Sequence, residues 1–429
     1  MEAADFEQVG LEGGVELYIR RDWRFKSARV DLFLPTLLRE KHNTRLALIG
    51  RLLERGTRSL PDLQSLNRFL DDLYGAGFGA EVELLGDFQI LHLGLEVVAG
   101  RFLPGGEDLL ERGARFLREA LCQPFQEGEG FSRAYLRQEK SALALHIRSL
   151  FNDKTAYAQR RCLEEMCRGE PCALPAHGDA RDFRGISARN LLGFHRRLLA
   201  RGPIAVFATG QVDPEQWVGL CRELFDWERA PEAPARPSLS PAPATPREIC
   251  ETQEVSQARL VLGYRTGIAL GHEDYPSLAL FNALLGGDAQ SRLFRRVREE
   301  AGLCYYIASH LEPLCGLLFI EAGIEGDAYA RAREQIDAQV EALRQGEIAP
   351  GELERARGLL RRGLWTLDDS REGLVRFYYQ QRLAGCWRSR RQVEHRLEGV
   401  SRQDVARAAG RVALDTAFFL CPAPGAPRQ

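Results

Sequence analysis

The 429-residue sequence predicts an α+β fold of two tandem homologous domains, each a mainly antiparallel sheet with helices packed on one face. Three observations carry this. Segments recur in the same order, strand and helix periodicities alternate in both halves, and a proline-rich stretch lies between them. Ser27-Ala28-Arg29-Val30-Asp31-Leu32 returns as Ser256-Gln257-Ala258-Arg259-Leu260-Val261. The apolar run Leu46-Ala47-Leu48-Ile49-Gly50-Arg51-Leu52-Leu53 returns as Leu278-Ala279-Leu280-Phe281-Asn282-Ala283-Leu284-Leu285. Gly185-Ile186-Ser187, a helix and the strand Ile204–Phe207 return as Gly399-Val400-Ser401, a helix and Ala417–Leu420.

In the first half, Ala28–Leu34 reads as a strand. Asn43 is placed to cap a helix that runs to Arg55 and stops at Gly56. Ser59 is placed to cap a second helix, with Pro61 in its first turn, Leu63, Leu66, Leu70 and Leu73 on one face, and an end at Gly75. Two strands follow. The second sets Leu91, Leu93, Leu95 and Val97 on one side and Ile90, His92 and Glu96 on the other. Helices over 107–121 and 132–150 lead to the closing strand. The second half repeats the series: strand Arg259–Tyr264, helices Tyr275–Leu285 and Ser291–Glu300, two strands to Ile324, and long helices from Tyr329 and Glu352. Six prolines between Pro231 and Pro246 make an extended, stiff tether of roughly 3 Å per residue. The domains are therefore expected at 1–228 and 249–429, with a linker over 229–248.

Hydrophobic residues make up 45% and charged residues 28%, and the net charge is −2, which suggests no nucleic-acid or membrane-surface partner. The acidic start and the lack of a long apolar run argue against a secretory leader or a membrane span. Ten cysteines without a CxxC pair read as reduced thiols in a cytoplasmic protein. No lysine follows a glycine, so there is no phosphate loop; there is no G-x-S-x-G elbow and no helical histidine pair. Cys162, Cys167, Cys172 and His177 recur every five residues. Zinc is one reading and buried thiols the other; the spacing turns successive side chains about 140° apart on a helix that Gly169 and Pro171 interrupt.

Two blocks, one over 52–57 with 70–76 and one over 285–305, resemble the insulinase/pitrilysin zinc peptidases, in the short, two-domain, processing-peptidase-like branch. Leu52-Leu53-Glu54-Arg55-Gly56-Thr57 with Leu70-Asp71-Asp72-Leu73-Tyr74-Gly75-Ala76 is similar to the segment after the family's inverted zinc motif. Leu285-Gly286-Gly287, Ser291-Arg292-Leu293-Phe294, Val297-Arg298-Glu299 and Ala301-Gly302-Leu303-Cys304-Tyr305 resembles its second-domain signature. The family's H-x-x-E-H holds zinc through two histidines one turn apart and activates water through the glutamate. By this resemblance the histidine positions are Ala47 and Arg51, the base position is Gly50, and the third ligand position, one heptad after Glu139, is His146. The zinc site is thus expected to be lost, with no cofactor bound by this chain.

The resemblance keeps an Arg/Tyr pair, mapped to Arg298 and Tyr305, that contacts substrate or a developing oxyanion at a zinc site. Read from spacing alone, Arg298 is a solvated helix charge and Tyr305 a strand aromatic in the core. The implied role is a non-catalytic subunit beside a zinc-bearing homologous partner, with an unfolded peptide added to a sheet edge as substrate. The alternative is a peptide-binding or scaffold homodimer without hydrolysis.

Overall fold

The two halves repeat one strand order. The computed structural model describes residues 5–232 and 239–423. It divides into a unit of Met1–Arg148 with Leu174–Ala235, and a unit of Ser149–Ala173 with Arg236–Gln429. The first unit holds β1 (Glu7–Leu11), β2 (Val15–Arg21), β3 (Ser27–Leu37), β4 (Gly77–Leu85) and β5 (Phe88–Val98), a short hairpin β6 (Gln126–Glu127) and β7 (Gly130–Phe131), and β8 (Ile204–Gly210). Its sheet runs β1-β2-β8-β3-β5-β4, antiparallel except for the β2/β8 pair. The second unit holds β9 (Arg247–Gln253), β10 (Ala258–Arg265), β11 (Cys304–Glu312), β12 (Leu317–Ile324) and β13 (Ala413–Pro422). Its order is β11-β12-β10-β13-β9, with β13/β9 the parallel pair. Taken from the other end, β9, β13, β10, β12 and β11 stand for β2, β8, β3, β5 and β4.

The helices before the linker are α1 (His42–Leu53), α2 (Leu63–Asp72), α3 (Leu109–Cys122), α4 (Arg133–Ser149), α5 (Lys154–Met166), α6 (Ala188–Arg201) and α7 (Pro214–Leu224). After it come α8 (Tyr275–Gly286), a π-helical stretch Leu293–Glu300, α9 (Tyr329–Arg344), α10 (Pro350–Thr366), α11 (Arg371–Leu383), α12 (Arg390–Glu398) and α13 (Arg402–Ala409). Alternation decides which strand residues meet helices. Ala28, Val30, Leu32 and Leu34 of β3 and Leu91, Leu93, Leu95 and Val97 of β5 share one apolar cluster with α1, α3 and α6.

Two helix starts differ from the sequence expectation. Asn43 lies inside α1, and its amide donates to the carbonyl of Pro175 (2.8 Å); a tertiary partner claims the side chain that would have capped. The second helix is capped by Asp62 in a reciprocal box with Ser65, while Ser59 hydrogen-bonds Glu119. Both are good cap residues, and the box supplies two bonds where Ser59 would supply one.

Helix α5 differs more. It follows the first repeat in sequence but packs in the second unit, where Ala158, Cys162 and Met166 form a core with Val261, Phe319, Phe418 and Leu420. Gly263 is needed there, because a Cβ would lie 2.7 Å from the Met166 sulfur. Buried Arg265 fastens the helix end: Nε donates to Asp415 (2.7 Å), and Nη2 to Glu170 (2.5 Å) and to the Met166 carbonyl (2.9 Å). Residues 149–173 thus leave the domain expected at 1–228. The sheet of the second unit also carries helices on both faces, since alternate residues Leu260 and Leu262 meet the other core.

Of the expected linker, 233–238 lie outside the described residues. Its start is bound to the first unit, with Arg229 donating to the carbonyls of Leu199 and Gly13 (2.9 and 3.0 Å) and the Glu232 amide to Arg201 (2.8 Å). Its expected end at 248 is already in β9. Among the described residues no helix is long and apolar enough to cross a membrane.

Candidate functional site

Helices α1 and α4 bring the degenerate positions together. Ala47, Gly50 and Arg51 lie three and four residues apart on α1, hence on one face. Ala47 is buried and has no donor atom. Gly50 faces the sheet, where a Cβ would sit 3.0 Å from Val82 Cγ2 and 3.6 Å from Leu91 Cδ1, so a longer side chain has to displace them. Arg51 Nη1 lies 3.5 Å from Oε2 of buried Glu139 on α4, and Arg55, one turn on, donates from Nε to Oε1 at 2.6 Å. The carboxylate is therefore committed to two guanidinium groups.

His146 packs edge-on against His177, ring centres 4.6 Å apart. Burial, then the positive fields of His146 and Arg51, push the His177 pKa down to about 4. His177 was visible in the sequence only as the last member of the cysteine series. Its signal lay elsewhere: the carbonyls of Pro175 and Ala176 accept from Asn43 and Gln89 (2.8 and 2.5 Å), and these polar residues needed partners.

The residues do not fit zinc. A four-coordinate site needs three or more donors of suitable charge. Here Ala47 and Gly50 offer none, Arg51 brings a fixed positive charge, and Glu139 is paired. The cysteine series does not converge either. Cys162 points its sulfur at the carbonyls of Val261 and Thr416 (3.8 and 3.9 Å). Among the described residues Cys167, Glu170 and Cys172 lie within 4.8 Å of one another, without Cys162 or His177. Arg265 already bonds Glu170 and Cys167 there, and the Cys172 thiol with burial holds Cys167 protonated.

Arg298 lies on the last turn of the π-helical stretch, its guanidinium carbon 4.5 Å from the Phe294 ring centre, with no ion pair among the described residues. Gly302, at φ +61°, turns the chain into β11. Tyr305 follows at a register shift and is 55% exposed, so it is not a core aromatic; its hydroxyl donates to Glu325. No hydrogen bond or ring contact joins Arg298 to Tyr305 among the described residues. Among the described residues β11 and β4 each pair on one side only, which leaves an edge in each sheet.

Duplicated α+β units whose α1/α4 helix pair offers no set of metal donors make the frame of a peptidase-type chain without a peptidase's metal set. The family description "peptidase M16 inactive domain" matches residues 185–360. The chain is 30% identical over 420 residues to the "probable inactive metalloprotease YmfF" of Bacillus subtilis, covering 98% of this chain and 99% of that one. A conserved protein from Enterococcus faecalis superposes with a TM-score of 0.90 at 25% identity, over 98% and 99% of the two chains. A peptidase M16 inactive domain from Pseudomonas fluorescens superposes at 0.79 and 15% identity, over 98% of each. The chain belongs to the M16 (insulinase/pitrilysin) peptidase family and is a homologue of a probable inactive metalloprotease.

Proposed function

We propose that this chain is the non-catalytic subunit of a heteromeric zinc metallopeptidase, acting in the cytoplasm. It contributes half of a peptide-binding chamber and offers Arg298 and Tyr305 to the zinc site of a homologous partner. One contrast carries the reading. The ligand positions on α1 and α4 are closed by Arg51, Arg55 and Glu139, whereas Arg298 makes no ion pair among the described residues and Tyr305 keeps its ring exposed. A guanidinium and a phenol are suited to stabilise the oxyanion of a peptide bond under attack by a partner's metal-bound water.

The test is to mix the chain with an M16 homologue carrying intact H-x-x-E-H and follow cleavage of a quenched-fluorescent unfolded peptide. The chain alone is expected to be inactive and the mixture active. Arg298→Ala is expected to lower kcat about 100-fold, as loss of one oxyanion donor does, while the complex still assembles. Normal turnover by that variant within the complex overturns the assignment. The free edges of β4 and β11 support a second reading, a homodimeric peptide-binding protein without hydrolysis, which predicts peptide binding with no zinc-bearing partner present.

A further inference from the structure

The second unit contains a groove of about 510 Å³ between α8, α10, α11 and α12. That volume falls within the roughly 300–1,000 Å³ of ligand sites. The repeat says where it lies. Pairing α1 with α8 sets Ala47, Gly50 and Arg51 against Ala279, Asn282 and Ala283. Helices α4 and α10 are both 17 residues long, and pairing them end to end sets Glu139 and His146 against Ala356 and Gly363. Ala279, Asn282, Ala283 and Gly363 all line the groove. It is therefore the second unit's copy of the cleft in which a peptidase holds its metal. Small residues leave it open where the first unit has Arg51 and His146.

Its walls are apolar, with Leu359, Leu364, Phe377 and Leu397 among them, and it also carries Arg388 and Arg396. Neither arginine makes an ion pair among the described residues. Arg388 reaches the Gly271 carbonyl (3.5 Å) and Arg396 the Glu273 carbonyl (2.7 Å). Burial and the neighbouring Arg388 charge both weaken the hold of Arg396 on its proton, which an anion between the two would reverse. Asn282 uses its oxygen to accept from Ser309 (2.8 Å), and among the described residues its NH₂ and the Gln380 amide have no partner. A paired guanidinium end, unused amide groups and an apolar trough match a peptide terminus better than a plain hydrocarbon chain.

We propose that this groove captures the C-terminal end of an unfolded peptide, its α-carboxylate on Arg388 and Arg396 and its last apolar side chains along the trough. This deepens the peptide-binding reading above and rests on it. The test is fluorescence anisotropy of the full chain alone with a fluorescein-labelled octapeptide ending in Leu-Leu, as the free acid and as the amide. The acid is expected to bind at least tenfold tighter, and Arg388→Gln with Arg396→Gln to abolish that preference. Gly363→Leu is expected to weaken acid binding at least tenfold without unfolding the chain, since a Cβ at Gly363 meets nothing within 4 Å. Equal affinity for acid and amide overturns terminal capture but leaves peptide binding standing. Unchanged binding by Gly363→Leu overturns the location. Displacement by decanoate as strong as by unlabelled peptide overturns the choice of ligand. Binding of neither peptide overturns the peptide-binding reading as well.

Discussion

Replacing Glu139 with glutamine withdraws one negative charge from between two guanidinium groups. A hydrogen bond to a charged partner contributes about 1.5–3 kcal/mol net. The 2.6 Å contact from Arg55 counts in full and the 3.5 Å contact from Arg51 counts for little. Breaking a fully buried pair costs roughly 3–5 kcal/mol. Arg51 and Arg55, however, keep 33% and 27% of their side-chain surface exposed and turn partly to water once the carboxylate is gone. The expected loss is therefore ~2 kcal/mol, or about 4–8 °C in Tm for a unit of this size. Urea and thermal unfolding followed by circular dichroism at pH 7 measure it. Arg55→Ala should cost more than Arg51→Ala, and a Glu139/Arg55 double-mutant cycle should show coupling. A Glu139→Gln protein within about 0.5 kcal/mol of wild type refutes the account, and so does an Arg51→Ala loss larger than that of Arg55→Ala.

His92 donates to Asp31 at 2.8 Å; burial opposes its charge, but hydrogen bonds to Asp31, Glu81 and Glu83 lift its pKa to about 11. A raised pKa stabilises fully below the unfolded value of 6.5 and is lost as pH climbs toward 11, so stability should fall through the alkaline range. Asp31 is lowered from 3.8 by His92 and Arg29 against the opposing effect of burial, and its share is lost as pH falls through the acid range. Urea midpoints across pH 3–10 test both limbs, and an alkaline slope unchanged in His92→Gln contradicts the first. Gly50→Glu should destabilise by about 2–3 kcal/mol through crowding of Val82 and Leu91 and burial of a carboxylate. If that variant melts like wild type, the crowding argument at Gly50 is wrong. The sulfurs of Cys250 and Cys421 lie 3.4 Å apart across the β9/β13 pair. Diamide should link them, as peptide mapping would detect; separate alkylation of both after oxidation would exclude it.

The duplication and the order of elements along the chain were legible because recurrence and alternation are sequence patterns. Leu91, Leu93, Leu95 and Val97 announce their face without knowledge of any neighbour. Ala47, Gly50 and Arg51 were legible only through a family resemblance read back from Gly56-Thr57, and the structure sets them on one face of α1. Features set by distant partners were hidden. Ala158, Cys162 and Met166, spaced four residues apart, form a stripe that marks a buried helix face, but nothing in the stripe says which sheet receives it. Asn43 looked like a cap because its partner, the Pro175 carbonyl, is 132 residues away. His177 reached the α1/α4 cluster by the same loop, so spacing within its own segment pointed to the wrong companions.

The placement of α5 bears on how such a chain could arise or be divided. Cleavage in the proline-rich stretch would leave one fragment holding a helix whose apolar side has no sheet, and another with Val261, Phe319, Phe418 and Leu420 open to water. The first fragment keeps its own core, but the second lacks the helix that closes one face of its sheet. The second repeat therefore depends on α5 from the first fragment, and its full structure should recover only when the two fragments are co-expressed. An ancestor one repeat long would meet the same need by trading this helix with a second copy of itself.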